Sequence, residues 1–138
     1  MIYLAYGSNM HIEQMRRRCP TGKVLGTSTL NGYRLVFNSV ATIEPDPDRC
    51  VPVVLWDIQT ADEKKLDCYE GYPRLYRKET VQVELNGETV DAMVYIMNSE
   101  GVRPPGEYYY NVIREGYEAN GLDTAPLKQA LQESLNDC

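Results

Sequence analysis

Two stretches of the chain carry residue types and spacing suited to acid–base chemistry. The first is Tyr6-Gly7-Ser8-Asn9, where an apolar strand, Ile2 to Tyr6, breaks into a polar turn ahead of a helix expected over Met10 to Arg18 and stopped by Pro20. Such a turn gathers unpaired backbone N–H groups around one point, with the positive end of a helix dipole behind them. That arrangement suits a carboxylate or a developing oxyanion. A plainer reading stands beside it, in which Ser8 or Asn9 simply caps the helix. The second is Glu70, expected in the last turn of a helix, where the negative end of the dipole favours the protonated acid. On a helical wheel it falls beside Leu66, on the side expected to be buried, and next to Glu63 and Asp67 on an acidic stripe. The spacing is consistent with a pocket carboxylate and with a surface glutamate.

Tyrosine is the third unusual feature: 11 Tyr stand against one Phe and one Trp. A core position accepts Phe equally well, so the excess points to rings whose hydroxyls find partners, in a polar cavity or at an interface. Tyr69, Tyr72 and Tyr76 surround Glu70, and Tyr108-Tyr109-Tyr110 open a later helix. Strict strand alternation puts Tyr76 opposite Val81, Val83 and Leu85 unless a bulge intervenes.

Other chemistries lack their residues. There is no G-x-S-x-G elbow, P-loop or G-x-G-x-x-G run, and His11 is the single histidine. Cys19, Cys50, Cys68 and Cys138 form no C-x-x-C pair, so no standard zinc site can be written, and the four are expected to be reduced packing or surface residues. Catalysis is expected to rest on a carboxylate and backbone dipoles, with neither a metal nor an organic cofactor.

Those residues need elements to hold them. Val24 to Leu30, Tyr33 to Asn38, Val40 to Glu44 and Val51 to Ile58 read as successive antiparallel strands, separated by Asn31-Gly32 and Pro45-Asp46-Pro47-Asp48. Thr60 and Glu63 have capping-box spacing for a helix running to about Tyr69, with Gly71 as its left-handed stop and Pro73 blocking continuation. Tyr76 to Leu85 and Glu88 to Met97 flank the hairpin signal Asn86-Gly87. A helix follows from about Gly106 to Ala119, and Thr124 is expected to cap a last helix with Leu127, Leu131 and Leu135 on one face. Helices segregated from a run of strands imply an α+β fold, mostly antiparallel, with strands short enough to curl into a barrel.

The 138 residues suit one domain, 1–138, and 43% hydrophobic with 25% charged residues is an ordinary globular composition. No apolar run approaches the roughly 20 residues a membrane helix needs, and the N-terminus has no export signal, so a cytoplasmic protein is expected. A net charge of -6 repels nucleic acid and anionic lipid, and Arg16-Arg17-Arg18, fanned around a helix, reads as solvated surface. Neither a nucleic acid nor a membrane is expected as partner.

Several blocks together resemble one family: Tyr6-Gly7-Ser8-Asn9-Met10, Arg18-Cys19-Pro20, Val51 to Trp56, Leu66-Asp67-Cys68-Tyr69-Glu70-Gly71-Tyr72-Pro73 and Tyr109 to Gly116. In this order they are similar to the gamma-glutamylcyclotransferase, or AIG2-like, family. The resemblance implies a small mixed, mostly antiparallel β-barrel with flanking helices. It also implies an enzyme that converts a γ-glutamyl amino acid, amine or peptide to 5-oxoproline and the free amine. By position, Glu70 resembles the family's catalytic carboxylate, Tyr6, Gly7, Ser8 and Asn9 its substrate loop, and Tyr76 and Tyr109 its pocket tyrosines. The expected partner is a small γ-glutamyl substrate, and the chain is expected to act as a monomer or weak homodimer. The alternative is a catalytically weak AIG2-like module that binds a small molecule or regulates.

Overall fold

A computed structural model describes residues 1–136. Its five strands form one sheet in the order β2-β3-β1-β5-β4, where β1 is Ile2–Ala5, β2 Lys23–Asn38, β3 Val40–Asp57, β4 Tyr76–Leu85 and β5 Glu88–Met97. β1 pairs antiparallel with β3 and parallel with β5, and every other pairing is antiparallel. The fold is thus mixed α+β and mostly antiparallel. The sheet is open, with β2 and β4 as its edges, where a barrel was expected. The edges approach one another, and there the Ser28 hydroxyl donates to the main-chain carbonyl of Glu84 at 2.5 Å.

Four strands were expected between Val24 and Ile58, and two long ones are found. The register shifts between the pairs Asn31–Cys50 and Tyr33–Pro45, where residues 46–49 of β3 stand against Gly32 alone, which takes φ 82°. A bulge bends a strand without ending it, so the turn signals at Asn31-Gly32 and Pro45 to Asp48 are absorbed into one hairpin. The reversal comes instead at Ser39, φ 65°, between Asn38 and Val40.

The helices frame one end of the sheet. A 3-10 turn at Ser8–Met10 leads into α1, Ile12–Arg18. The ring of His11 caps α1 by accepting from the Gln14 amide at 3.4 Å. Capping therefore leaves Ser8 and Asn9 free for other partners. In α2, Thr60–Glu70, the capping box falls one residue earlier than expected, on Gln59 and Asp62. The Gln59 amide donates to Asp62 at 3.0 Å, and the Thr21 hydroxyl holds the same carboxylate at 2.6 Å. At its other end Gly71 takes the expected left-handed conformation, φ 65°.

α3, Glu107–Ala119, crosses the 3-10 turn closely at Gly116, where a Cβ would lie 3.1 Å from the His11 nitrogen. Asn120 ties the pair by donating to the carbonyls of Met10 and Gly116, at 3.1 and 2.7 Å. α4, Ala125–Asn136, buries Leu127, Ala130 and Ser134, while Leu135 is 51% exposed. Spacing of three and four fits the sheet better here than the expected stripe of fours. Bidentate bonds from Arg49 to Glu133, both 3.0 Å, pin this helix to β3. No helix among the described residues is long and apolar enough to cross a membrane. Cys19 is buried, and Cys50 and Cys68 are exposed free thiols; Cys138 lies outside the described residues.

Candidate active site

A cavity of about 240 Å³ opens where β1 runs into the Gly7-Ser8-Asn9 turn, against the C-terminal end of α2. Its wall includes Tyr6, Gly7, Ser8, Asn9, Glu70, Tyr76 and Tyr109, so the seven residues expected at a catalytic or substrate-binding site come to one place, while Tyr72, Tyr108 and Tyr110 lie outside it. Tyr3, Tyr69 and Tyr95 join them, and six of the 11 tyrosines therefore serve this one cavity.

Glu70 closes α2. The Tyr72 amide donates to the Asp67 carbonyl at 2.9 Å and the Gly71 amide to Cys68 at 3.2 Å, which ends the helix abruptly and leaves Glu70 at its rim. Its carboxylate makes no hydrogen bond among the described residues. Burial pushes its pKa up to about 7, while the positive charge of Arg18 pulls the other way. An unpaired carboxylate that titrates near neutrality can both accept and return a proton.

Asp67 is kept out of this balance. It accepts from the Tyr95 hydroxyl at 2.6 Å and pairs with Lys78 at 2.8 Å, and Lys78 also bonds Glu63 at 2.8 Å. The acidic stripe seen in the sequence is thereby neutralised on one side of the helix, while Glu70 faces the cavity alone.

In the same cavity wall, the amides of Gly7, Ser8 and Asn9 have no partner among the described residues. The turn is braced by side chains instead: Asn9 donates to the Tyr3 hydroxyl at 2.9 Å, and the Ser8 and Tyr69 hydroxyls share a 3.3 Å bond. The Tyr6 hydroxyl reaches the Tyr95 carbonyl at 2.6 Å. Ala41 is held at both polar atoms, its carbonyl accepting from Tyr76 at 2.7 Å and its amide donating to Tyr109 at 3.0 Å. Burial raises the pKa of Tyr3, Tyr6, Tyr76 and Tyr109, so these phenols stay protonated at neutral pH.

Tyr76 does face the cavity. The register of β4 with β5 is unbroken from Tyr76 to Leu85, so alternation holds and no bulge is needed. The covered face changes along the strand: Tyr76 is buried with Arg77 exposed beside it, whereas farther on Val81 and Val83 are buried on the other face and Thr80, Gln82 and Glu84 are exposed.

The sequence reading missed Arg18, taken there as solvated surface. Its guanidinium donates to Asn9 and to Ser8, and lies 3.5 Å from the Tyr69 ring centroid. The usable signal was the neighbouring Cys19-Pro20, which ends α1 just where its last side chain turns toward the loop. Tyr3 and Tyr95 were also missed: Tyr3 lies within the apolar run of β1 and reads as core, and Tyr95 comes from β5, far from the site in sequence. Among the described residues no cluster of three or more His, Cys, Asp or Glu side chains is in place to hold a metal.

Comparison with known proteins converges on one group. The chain is 27% identical to human "Gamma-glutamylcyclotransferase" over 135 residues, covering 88% of this chain and 72% of that protein. It is 29% identical to the bovine protein of the same name, covering 98% and 77%. A solved structure of "Gamma-glutamyl cyclotransferase" superposes with a TM-score of 0.85 at 25% identity, over 94% of this chain and 85% of the other. The family model described as "Gamma-glutamyl cyclotransferase, AIG2-like" matches residues 3–116, and the chain belongs to that family of enzymes.

Proposed function

We propose that the cavity cyclises a γ-glutamyl compound, with Glu70 as general acid and base. The α-ammonium of the substrate gives a proton to the Glu70 carboxylate, and the freed amine attacks its own γ-carbonyl carbon. The new C–N bond closes a five-membered ring and puts negative charge on the former carbonyl oxygen. Glu70 then returns the proton to the leaving nitrogen, the old C–N bond breaks as the oxyanion collapses, and the ring nitrogen gives up its second proton through Glu70 to the freed amine, so that 5-oxoproline and the amine as its ammonium ion result. No water and no redox partner enter, so the reaction itself calls for neither a metal nor an organic cofactor.

The observation that carries this reading is the unpaired Glu70 carboxylate, raised to about 7, in the wall of one cavity with Gly7, Ser8 and Asn9, whose amides are unpaired among the described residues. An acid–base group works best with a pKa near the working pH. Because the nucleophile and electrophile share one molecule, the protein has chiefly to fold the substrate and stabilise the oxyanion. The amides of Gly7, Ser8 and Asn9 serve as those donors, or grip the substrate carboxylate. Tyr6, Tyr76 and Tyr109 shape the wall. The working unit in this reading is a monomer or weak homodimer in the cytoplasm, with a small molecule as its partner rather than nucleic acid.

The test is to incubate the protein with a panel of γ-glutamyl dipeptides and γ-glutamylamines and to follow 5-oxoproline by mass spectrometry. Product from at least one member supports the reaction. Ligand-induced stabilisation with no product across the panel moves the reading to a binding module.

A further inference from the structure

Glu63, Asp67 and Glu70 stand at i, i+4 and i+7 of α2, so three carboxylates share one helix face within two turns. Like charges at this spacing repel one another, and side chains three residues apart on a helix have Cβ atoms only about 5–6 Å apart. One cation meets them. Lys78 donates to Glu63 at 2.8 Å and to Asp67 at 2.9 Å, and its ammonium also lies 4.3 Å from the centroid of the Tyr72 ring, just past the helix end. Its contacts therefore fall on both sides of Glu70 in the chain.

Lys78 arrives there by register. It sits two residues on from Tyr76 on the same face of β4, directly opposite Tyr95 of β5. Tyr95 donates to Asp67 at 2.6 Å, and the same tyrosine lines the Glu70 cavity. A chain of Lys78, Asp67 and Tyr95 thus runs from outside the cavity to its wall. The Lys78 side chain is 20% exposed and those of Glu63 and Asp67 25% each, so solvent and salt screen these pairs less than the surface pair of Arg114 with Glu118. Burial pulls the Lys78 pKa down, but the bonds to Asp67 and Glu63 outweigh it and hold the group above the usual lysine value, charged at any working pH. From the other elements Glu70 meets the charge of Arg18 on α1 and phenols: Tyr3 and Tyr6 at β1, Tyr69 beside it on α2, Tyr76 on β4 and Tyr109 on α3.

We propose that Lys78 is a positioning residue of the cyclisation, one that fixes the Glu70-bearing end of α2 against β4 and cancels the charge of Asp67 beside Glu70. The inference rests on the cyclotransferase reading above and adds to it a residue outside the cavity. Without Lys78, Asp67 bears on Glu70 as an uncompensated negative charge, and Glu70 holds its proton more tightly. Without Asp67 the surplus charge is positive, and the proton leaves more readily.

The experiment follows the acid limb of kcat/KM against pH, by 5-oxoproline release from whichever γ-glutamyl dipeptide the wild type converts. Lys78→Met moves the limb to higher pH by about half a pH unit or more. Lys78→Arg, which keeps the charge, leaves it near the wild-type position. Asp67→Asn, which still offers Tyr95 an acceptor, moves it to lower pH, and Lys78→Met/Asp67→Asn falls between the two single variants. Because the single variants shift in opposite directions, Asp67→Asn carries the test even where Lys78→Met does not fold. A limb that stays at the wild-type pH in the folded variants, with or without a lower melting temperature, overturns the role of Lys78 and leaves the cyclotransferase reading intact. Absence of 5-oxoproline from the wild type with every dipeptide overturns that reading and this inference with it.

Discussion

Arg18 and Tyr69 stack cation on ring, with the guanidinium carbon 3.5 Å from the ring centroid, immediately beside Glu70 in the chain. Through Asn9 and Ser8 the same guanidinium grips the turn opposite. One side chain thus joins the two halves of the site, which come from segments some 60 residues apart in sequence, as the Ser8 to Tyr69 bond also does. Replacing it by Gln removes both the brace and a positive charge that favours ionised Glu70. The acid limb of the pH–rate profile then moves to higher pH, and Arg18→Lys, which keeps the charge but loses the planar stack, moves it less. A profile unchanged in both variants refutes the electrostatic part of this role.

Glu70 gives the activity and the stability opposite pH dependences. Catalysis needs the carboxylate ionised, so kcat/KM rises through about pH 7. In the folded state the group binds its proton more tightly than in the unfolded chain. The stability this gives is full below the unfolded value of 4.5 and is lost as pH rises through about 7. Glu70→Gln removes the charge, so its melting temperature exceeds that of the wild type at pH 8, and the difference closes toward pH 4.5. Melting curves of both proteins across that range check the sign.

Ala41 depends on two tyrosines at once, and the phenylalanine variants separate them. Tyr109→Phe leaves the Ala41 amide without its 3.0 Å partner, and Tyr76→Phe does the same to the carbonyl at 2.7 Å. Each loss costs about 1–3 kcal/mol of stability if the bared group stays dry. Denaturant unfolding of the two variants measures it, and a cost near zero in both means that water replaces the hydroxyls.

Gly71 sets where α2 stops. At φ 65° an added Cβ is strained, and it would lie 2.9 Å from Leu75 Cδ1. Gly71→Ala destabilises the protein by about 1–2 kcal/mol. It also lowers kcat through displacement of the helix end that carries Glu70. Stability and turnover measured on the same preparation give both numbers.

The parts legible in the sequence were those written by local chemistry. Gly71 announced the end of α2 and Asn86-Gly87 the β4–β5 hairpin, because left-handed backbone demands particular residues. Glu70 and the Tyr6 to Asn9 turn stood out because a carboxylate at a helix C-terminus and a polar break after a strand are locally odd. What stayed hidden was non-local. Asn31-Gly32 and Pro45 to Asp48 have the composition of turns, and only the pairing of β2 with β3 on both sides of them makes them one bulge within a hairpin. Arg18 looks like its two solvated neighbours until tertiary folding brings Asn9 and Tyr69 to it. Tyr76 could not be oriented because alternation assumes one buried face for the whole strand, and in β4 the buried face changes between Tyr76 and Val81.

The central claim is that the Glu70 carboxylate moves the proton during ring closure. The most direct measurement is the turnover of Glu70→Gln on whichever γ-glutamyl compound the wild type converts, with circular dichroism and melting to show that the variant is folded. The account predicts a folded protein that still binds the substrate and forms 5-oxoproline at least about a thousandfold more slowly, within the range set by loss of an acid–base group. A folded variant that turns over at the wild-type rate contradicts it.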